Sequence, residues 1–87
     1  MKFFVYLLIN IIKNRATTYV GYTNDLDKRL ELHNSSKGAK FTKGRKWTLI
    51  YKKCYKTKSL AMKNEYLLKK NFKKLNLIKK NFLEKNL

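Results

Sequence analysis

Residues 3 to 12, Phe-Phe-Val-Tyr-Leu-Leu-Ile-Asn-Ile-Ile, are apolar at both odd and even positions. A strand turns successive side chains to opposite faces, so a run of this kind needs cover on both sides, as a central strand has. A short helix fits less well, because the turn-like Lys13-Asn14-Arg15 follows at once. Residues 17 to 22 then read as the hairpin partner. Counting by two places Phe4, Tyr6 and Leu8 on one face of the first strand, and Thr17, Tyr19 and Gly21 on one face of the second. Tyr6 and Tyr19 can therefore share a face.

Thr23 or Asn24 can cap a helix that carries Asp25 and Asp27 in its first turn and runs to about Asn34. Residues 35 to 46 have small residues, two glycines and five basic side chains without periodicity, and read as a loop. Trp47 to Lys56 alternate well enough for a third strand. Thr57 caps a second helix over about 58 to 72, with Leu60, Ala61, Leu67, Leu68 and Phe72 on one stripe. Residues 75 to 87 form a lysine-rich helix expected to fray. The expectation is one domain over 1–87, its core at about 3–72, with no internal repeat, proline or linker.

At 87 residues, 44% of them hydrophobic and 14% aromatic, the chain can build one small packed core, burying ~60–65% of its unfolded surface. A formal net charge of +17 exceeds what solubility requires and implies a polyanionic partner, nucleic acid first of all. The basic residues are nineteen lysines to three arginines, and asparagine and isoleucine are abundant too. An A/T-biased coding sequence produces the same composition, so part of the excess is accounted for without function. Cys54 is the single cysteine, and no Cys/His set has zinc spacing, which points to the reducing cytoplasm. Asn10 interrupts the N-terminal apolar run and no small-residue cleavage pattern follows, so neither a signal peptide nor a membrane span is expected.

Between Glu31 and Glu84 lie sixteen lysines and arginines and one acid, Glu65. At ~100° per residue Glu65 falls at the margin of the second helix's apolar stripe beside Ala61 and Phe72, with Lys63, Lys69 and Lys70 on the other side. A carboxylate there can look into a cleft, and one carboxylate is enough for Mg²⁺, which keeps most of its waters. The plainer alternative is a surface glutamate paired with a lysine. Arg29 and His33, four apart, stack near the Leu26/Leu30 stripe and face the sheet. The arginine can clamp a phosphate, and the histidine can bond a phosphate oxygen or relay a proton. The alternative is a surface arginine and a partly buried histidine satisfied by backbone. Six tyrosines are mostly core and rim, and one acting as general base needs positive charge nearby to lower its pKa.

The order Phe4-Val5-Tyr6, then Tyr19-Val20-Gly21-Tyr22-Thr23, Arg29-x-x-x-His33-Asn34 and a later helical glutamate resembles the GIY-YIG nuclease superfamily, above all its small standalone bacterial members. The Gly38-Ala39-Lys40-Phe41-Thr42 segment is similar to theirs as well. The resemblance covers about residues 3 to 72 and departs at Phe4, where a glycine is expected. It implies an α/β (α+β) fold, a three-stranded antiparallel sheet flanked by helices in the order β-β-α-β-α with a further helix. It also implies Tyr6 and Tyr19 as the motif tyrosines, with Tyr6 as the base, Arg29 on the scissile phosphate, His33 assisting, and Glu65 holding Mg²⁺ or Mn²⁺. A later asparagine of some relatives corresponds to Asn71 or Asn76.

The resulting expectation is a metal-dependent endonuclease acting on DNA in preference to RNA, selective for structure more than sequence, monomeric, not membrane-bound, and serving repair or recombination. Lys37, Lys40, Lys43, Arg45 and Lys46 are expected to grip the nucleic-acid backbone. A catalytically weak nucleic-acid-binding module of the same fold is the alternative, and a membrane-surface role for residues 75 to 87 a more distant one.

Overall fold

The computed structural model describes residues 2–35, 42 and 44–86. In chain order the elements are β1 (Phe3–Ile12), β2 (Arg15–Thr23), α1 (Leu26–Asn34), β3 (Thr48–Tyr55), α2 (Lys58–Lys70) and α3 (Phe72–Asn86). The three strands form one antiparallel sheet in the order β2-β1-β3, which puts the doubly apolar segment in the centre.

Each face of β1 has its own cluster. Val5 and Leu7 pack with Val20 of β2 and with Ala61 and Leu68 of α2, and Leu75 and Ile78 of α3 close over the same side. Tyr6 and Leu8 point the other way, against Trp47 and against Leu26 and Leu30 of α1. Burying a side chain such as Leu7 stabilises the fold by ~1.5–3 kcal/mol, so the two clusters together account for the central position of β1.

Ile12 lies opposite Arg15, leaving Lys13 and Asn14 as a two-residue hairpin loop. Their φ angles of 50° and 67° are those of a turn whose twist matches the strands. Asn14 tolerates that conformation readily, and Lys13 less so. The β1/β3 register shifts between Leu7 and Leu8, with Tyr51 opposite the first and Leu49 opposite the second. The extra residue lets both Ile50 and Tyr51 turn toward the α2/α3 side while Leu49 faces α1. Phe4 sits in regular β1 opposite Thr23 and Cys54.

Four local expectations shift. The cap of α1 is Asp25, whose carboxylate accepts from the Lys28 N–H at 3.2 Å, while Thr23 Oγ1 accepts from the Asp25 N–H and shapes the preceding turn. Trp47 precedes β3 instead of starting it. It is a buried plug whose backbone N–H donates to Asn34 Oδ1 at 2.6 Å and whose indole N–H donates to the Thr42 carbonyl. Next, α2 stops at Lys70, because Asn71 leaves helical geometry and its side chain caps the Lys74 N–H at the start of α3. Phe72 therefore opens α3, 71% exposed, and α3 begins three residues earlier than the expected boundary at 75. Leu60 and Leu67 are also exposed, so α2 rests on the sheet through the narrow pair Ala61 and Leu68.

Candidate active site

The hairpin register places Tyr6 opposite Gly21 and Leu8 opposite Tyr19. The two tyrosines are thus diagonal neighbours on one face, their ring centroids 6.5 Å apart. Gly21 makes room for this: a Cβ at position 21 would overlap Oη and Cζ of Tyr6. The close approach belongs to the tyrosine ring of the neighbouring strand.

Above that face, α1 lays down Arg29 and His33. Tyr6 Oη and His33 Nε2 are 2.9 Å apart, and His33 Nδ1 and Thr42 Oγ1 are 2.7 Å apart. Tyr6, His33 and Thr42 are all buried, at 2%, 0% and 0% exposure. Burial, and secondly the Arg29 charge, push the His33 pKa down, so the ring is neutral at neutral pH. A neutral ring has one donor and one acceptor, and hydroxyls on both sides satisfy either tautomer. Both ring nitrogens are engaged, so a direct bond from His33 to a phosphate has no nitrogen to make it. The proton relay keeps its path through Tyr6.

Arg29 interacts first with the Tyr6 hydroxyl and more weakly with that of Tyr19, which together hold the guanidinium firmly charged against its partial desolvation. Its Nε is buried and has no hydrogen-bond partner. A buried N–H of a cation without an acceptor is costly, and an anionic oxygen arriving in the cavity would relieve it. For Tyr6 the balance of effects differs from the expectation. Burial raises its pKa, and the opposing influence of Arg29 is the smaller of the two. Tyr6 in the resting protein is a neutral phenol.

Glu65 reaches the same place from α2. Its side chain is 20% exposed and pairs with Lys69 Nζ at 3.4 Å, so Lys69 stands on the Glu65 side of the helix, contrary to the angular reading that put it opposite. A cavity of about 540 Å³ brings together Tyr6, Tyr19, Gly21, Arg29, Lys58 and Glu65. Four of the five expected catalytic residues line it; His33 sits behind Tyr6. Among the described residues no group of three or more His, Cys, Asp or Glu side chains converges. Glu65, the one carboxylate among the residues lining the cavity, fits a hard ion that keeps its waters, Mg²⁺ or Mn²⁺, and does not fit the closed nitrogen and sulfur shell of structural zinc.

Lys37, Lys40 and Lys43 lie outside the described residues. Arg45 is half-buried and Lys46 exposed, and the Lys46 carbonyl accepts from Asn10 Nδ2 at 2.8 Å. Sequence reasoning missed Thr42 as the second partner of His33, and Lys58 as a second cation in the cavity. Thr42 carried a faint signal as the lone hydroxyl between Phe41 and Lys43. Lys58, one lysine among many, carried none. No helix among the described residues is long and apolar enough to cross a membrane.

The family model of the GIY-YIG catalytic domain matches residues 2–81. A UPF0213 protein of Bacillus pumilus is 56% identical over 55 residues, covering 62% of this chain and 56% of that protein. One from Oceanobacillus iheyensis is 48% identical over 69% of this chain and 73% of its own length. The match thus spans little more than half the length of the first of these relatives. The solution NMR structure of a UPF0213 protein from Bacillus halodurans is 35% identical, covering 91% of this chain and 84% of that one, with a TM-score of 0.49.

Proposed function

We propose that this chain, which belongs to the GIY-YIG catalytic-domain family, is a divalent-metal-dependent endonuclease that hydrolyses phosphodiester bonds in DNA. The observation that carries the reading is the convergence of Tyr6, Tyr19, Arg29 and Glu65 on one cavity, with a neutral histidine hydrogen-bonded behind Tyr6.

Arg29 takes the scissile phosphate, its orphaned Nε gaining an acceptor and its charge offsetting the negative charge that builds up in the transition state. Tyr6 Oη accepts a proton from the attacking water while its own proton passes to His33 Nε2, so no free phenolate is needed at neutral pH. The hydroxide forms a bond to phosphorus, the bond to the leaving oxygen breaks, and that oxygen takes a proton from solvent in the open cavity while His33 returns its own through Tyr6. Thr42 holds the other ring nitrogen and keeps the imidazole in line during the transfer. Tyr19 stacks edge-on against His33 at 5.1 Å between centroids and fixes that wall of the cavity. Glu65 is the residue that would hold Mg²⁺ or Mn²⁺, which when bound supplies Lewis-acid polarisation of the phosphate and charge at the leaving oxygen.

Lysines and arginines hold phosphates without reading base edges, so substrate shape sets selectivity more than base identity does, and junctions, flaps or lesions arising in cytoplasmic repair or recombination are the fitting targets. Branched, nicked and single-stranded DNA and RNA incubated with Mg²⁺, Mn²⁺ or chelator test the reading. Cleavage of structured DNA that needs the ion and is abolished by Glu65→Gln, with binding retained, is expected. An uncut panel, or full cutting by the Gln variant at saturating Mg²⁺, overturns it.

A further inference from the structure

A second cationic cavity lies at the other end of β2. It measures about 480 Å³ and is lined by Asn10, Ile12, Lys13, Arg15, Thr17 and Arg45. Three of these six carry positive charge and none is acidic. The three cations come from three places in the chain: the hairpin loop, the start of β2, and the segment before β3. Asn10 explains how they are held together. It is a polar residue in an otherwise apolar stretch, 5% exposed, and its amide donates to the Lys46 carbonyl, which fastens the backbone beside Arg45 to β1. Trp47, next along, is tied to α1 by Asn34 through a bond at each end of its backbone. The cations are therefore mounted on fixed backbone, not gathered by chance on a loose surface.

We infer that this cavity is a phosphate-binding subsite for the nucleic-acid backbone flanking the cut, an inference that rests on the nuclease reading above. Both cavities are lined by residues of β2, an edge strand of the sheet: Tyr19 and Gly21 at one end, Arg15 and Thr17 at the other. Six residues separate Arg15 from Gly21, and at ~3.3 Å per residue this is ~20 Å. Duplex DNA carries one phosphate per strand every ~3.4 Å along its axis, so a substrate covering this length presents several phosphates to the face. A substrate held at Arg29 and lying along β2 thus brings backbone phosphates of one strand or the other to Lys13, Arg15 and Arg45. The subsite reads backbone and not sequence, since lysine and arginine at a phosphate fix register without touching base edges. It also gives Lys13 a role at a backbone angle more commonly held by Asn or Gly.

The test is a scan of single methylphosphonate substitutions along a structured DNA, with affinity measured for the full chain carrying Glu65→Gln and for the same chain with Lys13→Gly and Arg15→Gln added. Glycine is at home in the hairpin turn, so the double change removes charge without breaking the loop. The parent chain is expected to lose affinity at a second group of neutralised phosphates, on either strand, away from those at the cut. The double variant is expected to lose that dependence, keep the dependence around the cut, and flatten its salt slope by ~1.8. Arg45→Gln should act in the same way. Lys79→Gln with Lys80→Gln, which removes equal charge from α3, is the control. Identical scan profiles for parent and variants, or an equal change in the control, overturns the subsite. Absence of cleavage by the unsubstituted chain strikes the nuclease reading alone, because the scan reads binding.

Discussion

The two faces of β1 are built from neighbouring residues and solve opposite problems. Val5 and Leu7 sit in a cluster of aliphatic and aromatic side chains, and that side can be described by area removed from water. Tyr6, one position away from each, is buried just as deeply but belongs to a line of polar groups running through His33 to Thr42, each satisfied by the next. Asn10 repeats the pattern further along the strand. One face holds the sheet together; the other uses the rigidity so obtained to keep a titratable chain in place. A buried polar line of this kind is expensive if any member is lost and specific if all are kept.

The sharpest test of the contrast is Tyr6→Phe, which keeps the ring and removes the hydroxyl. Turnover should fall by ~10²–10⁴, the usual contribution of a positioned base, with the fold retained. Rate measured against a thermal melt checks it, and loss of folding with loss of rate would mean that the polar line is structural. Leu7→Ala on the opposite face should do the reverse, costing ~2–5 kcal/mol of stability while leaving the rate per folded molecule unchanged. Denaturant titration and active-site counting separate the two. Arg29→Ala should lower turnover by ~10²–10³ and affinity far less, since many cations share ground-state attraction but the reacting phosphate sees this one. Affinity falling in step with rate would make Arg29 an ordinary backbone contact. The smallest effect is in pH. His33, facing Tyr6, Thr42 and the Arg29 charge, has its pKa lowered in the folded state, so the unfolded chain binds the proton more readily. Stability is then fully present above the ordinary histidine pKa and declines as pH falls through it toward the lowered value. His33→Gln should flatten that decline in melts recorded across the range, and an unchanged slope would assign it elsewhere.

Periodicity made the sheet legible. A strand apolar at both parities announces the centre, and counting by two puts Tyr6 and Tyr19 on one face, as the register has them. The Arg29/His33 spacing gave their common direction toward the sheet for the same reason. What stayed hidden was contact across the loop. Nothing periodic marks Thr42, and its bond to His33 depends on how the chain returns from α1 to Trp47. The end of α2 was misread because Leu67, Leu68 and Phe72 suit a continuing helix, and only the cap made by Asn71 stops it. Glu65 lines the cavity, and its pairing with Lys69 follows from the i,i+4 spacing, which puts the two about 40° apart on one side of the helix, so the reading that set Lys69 opposite misapplied the count. For Tyr6, the cations in the sequence suggested a lowered pKa, whereas depth of burial, which composition does not show, decides the direction.

The overlap that any Cβ at position 21 would make with Tyr6 closes off routes of descent. Alanine, a small step in size, collides with both the hydroxyl and the ring carbon that bears it, so Tyr6→Phe offers only partial relief. Full relief comes from shrinking residue 6 itself, which discards the phenol. A residue other than glycine at 21 therefore requires Tyr6 to move or change, and a lineage of this chain that has replaced Gly21 should be found to have altered residue 6 as well.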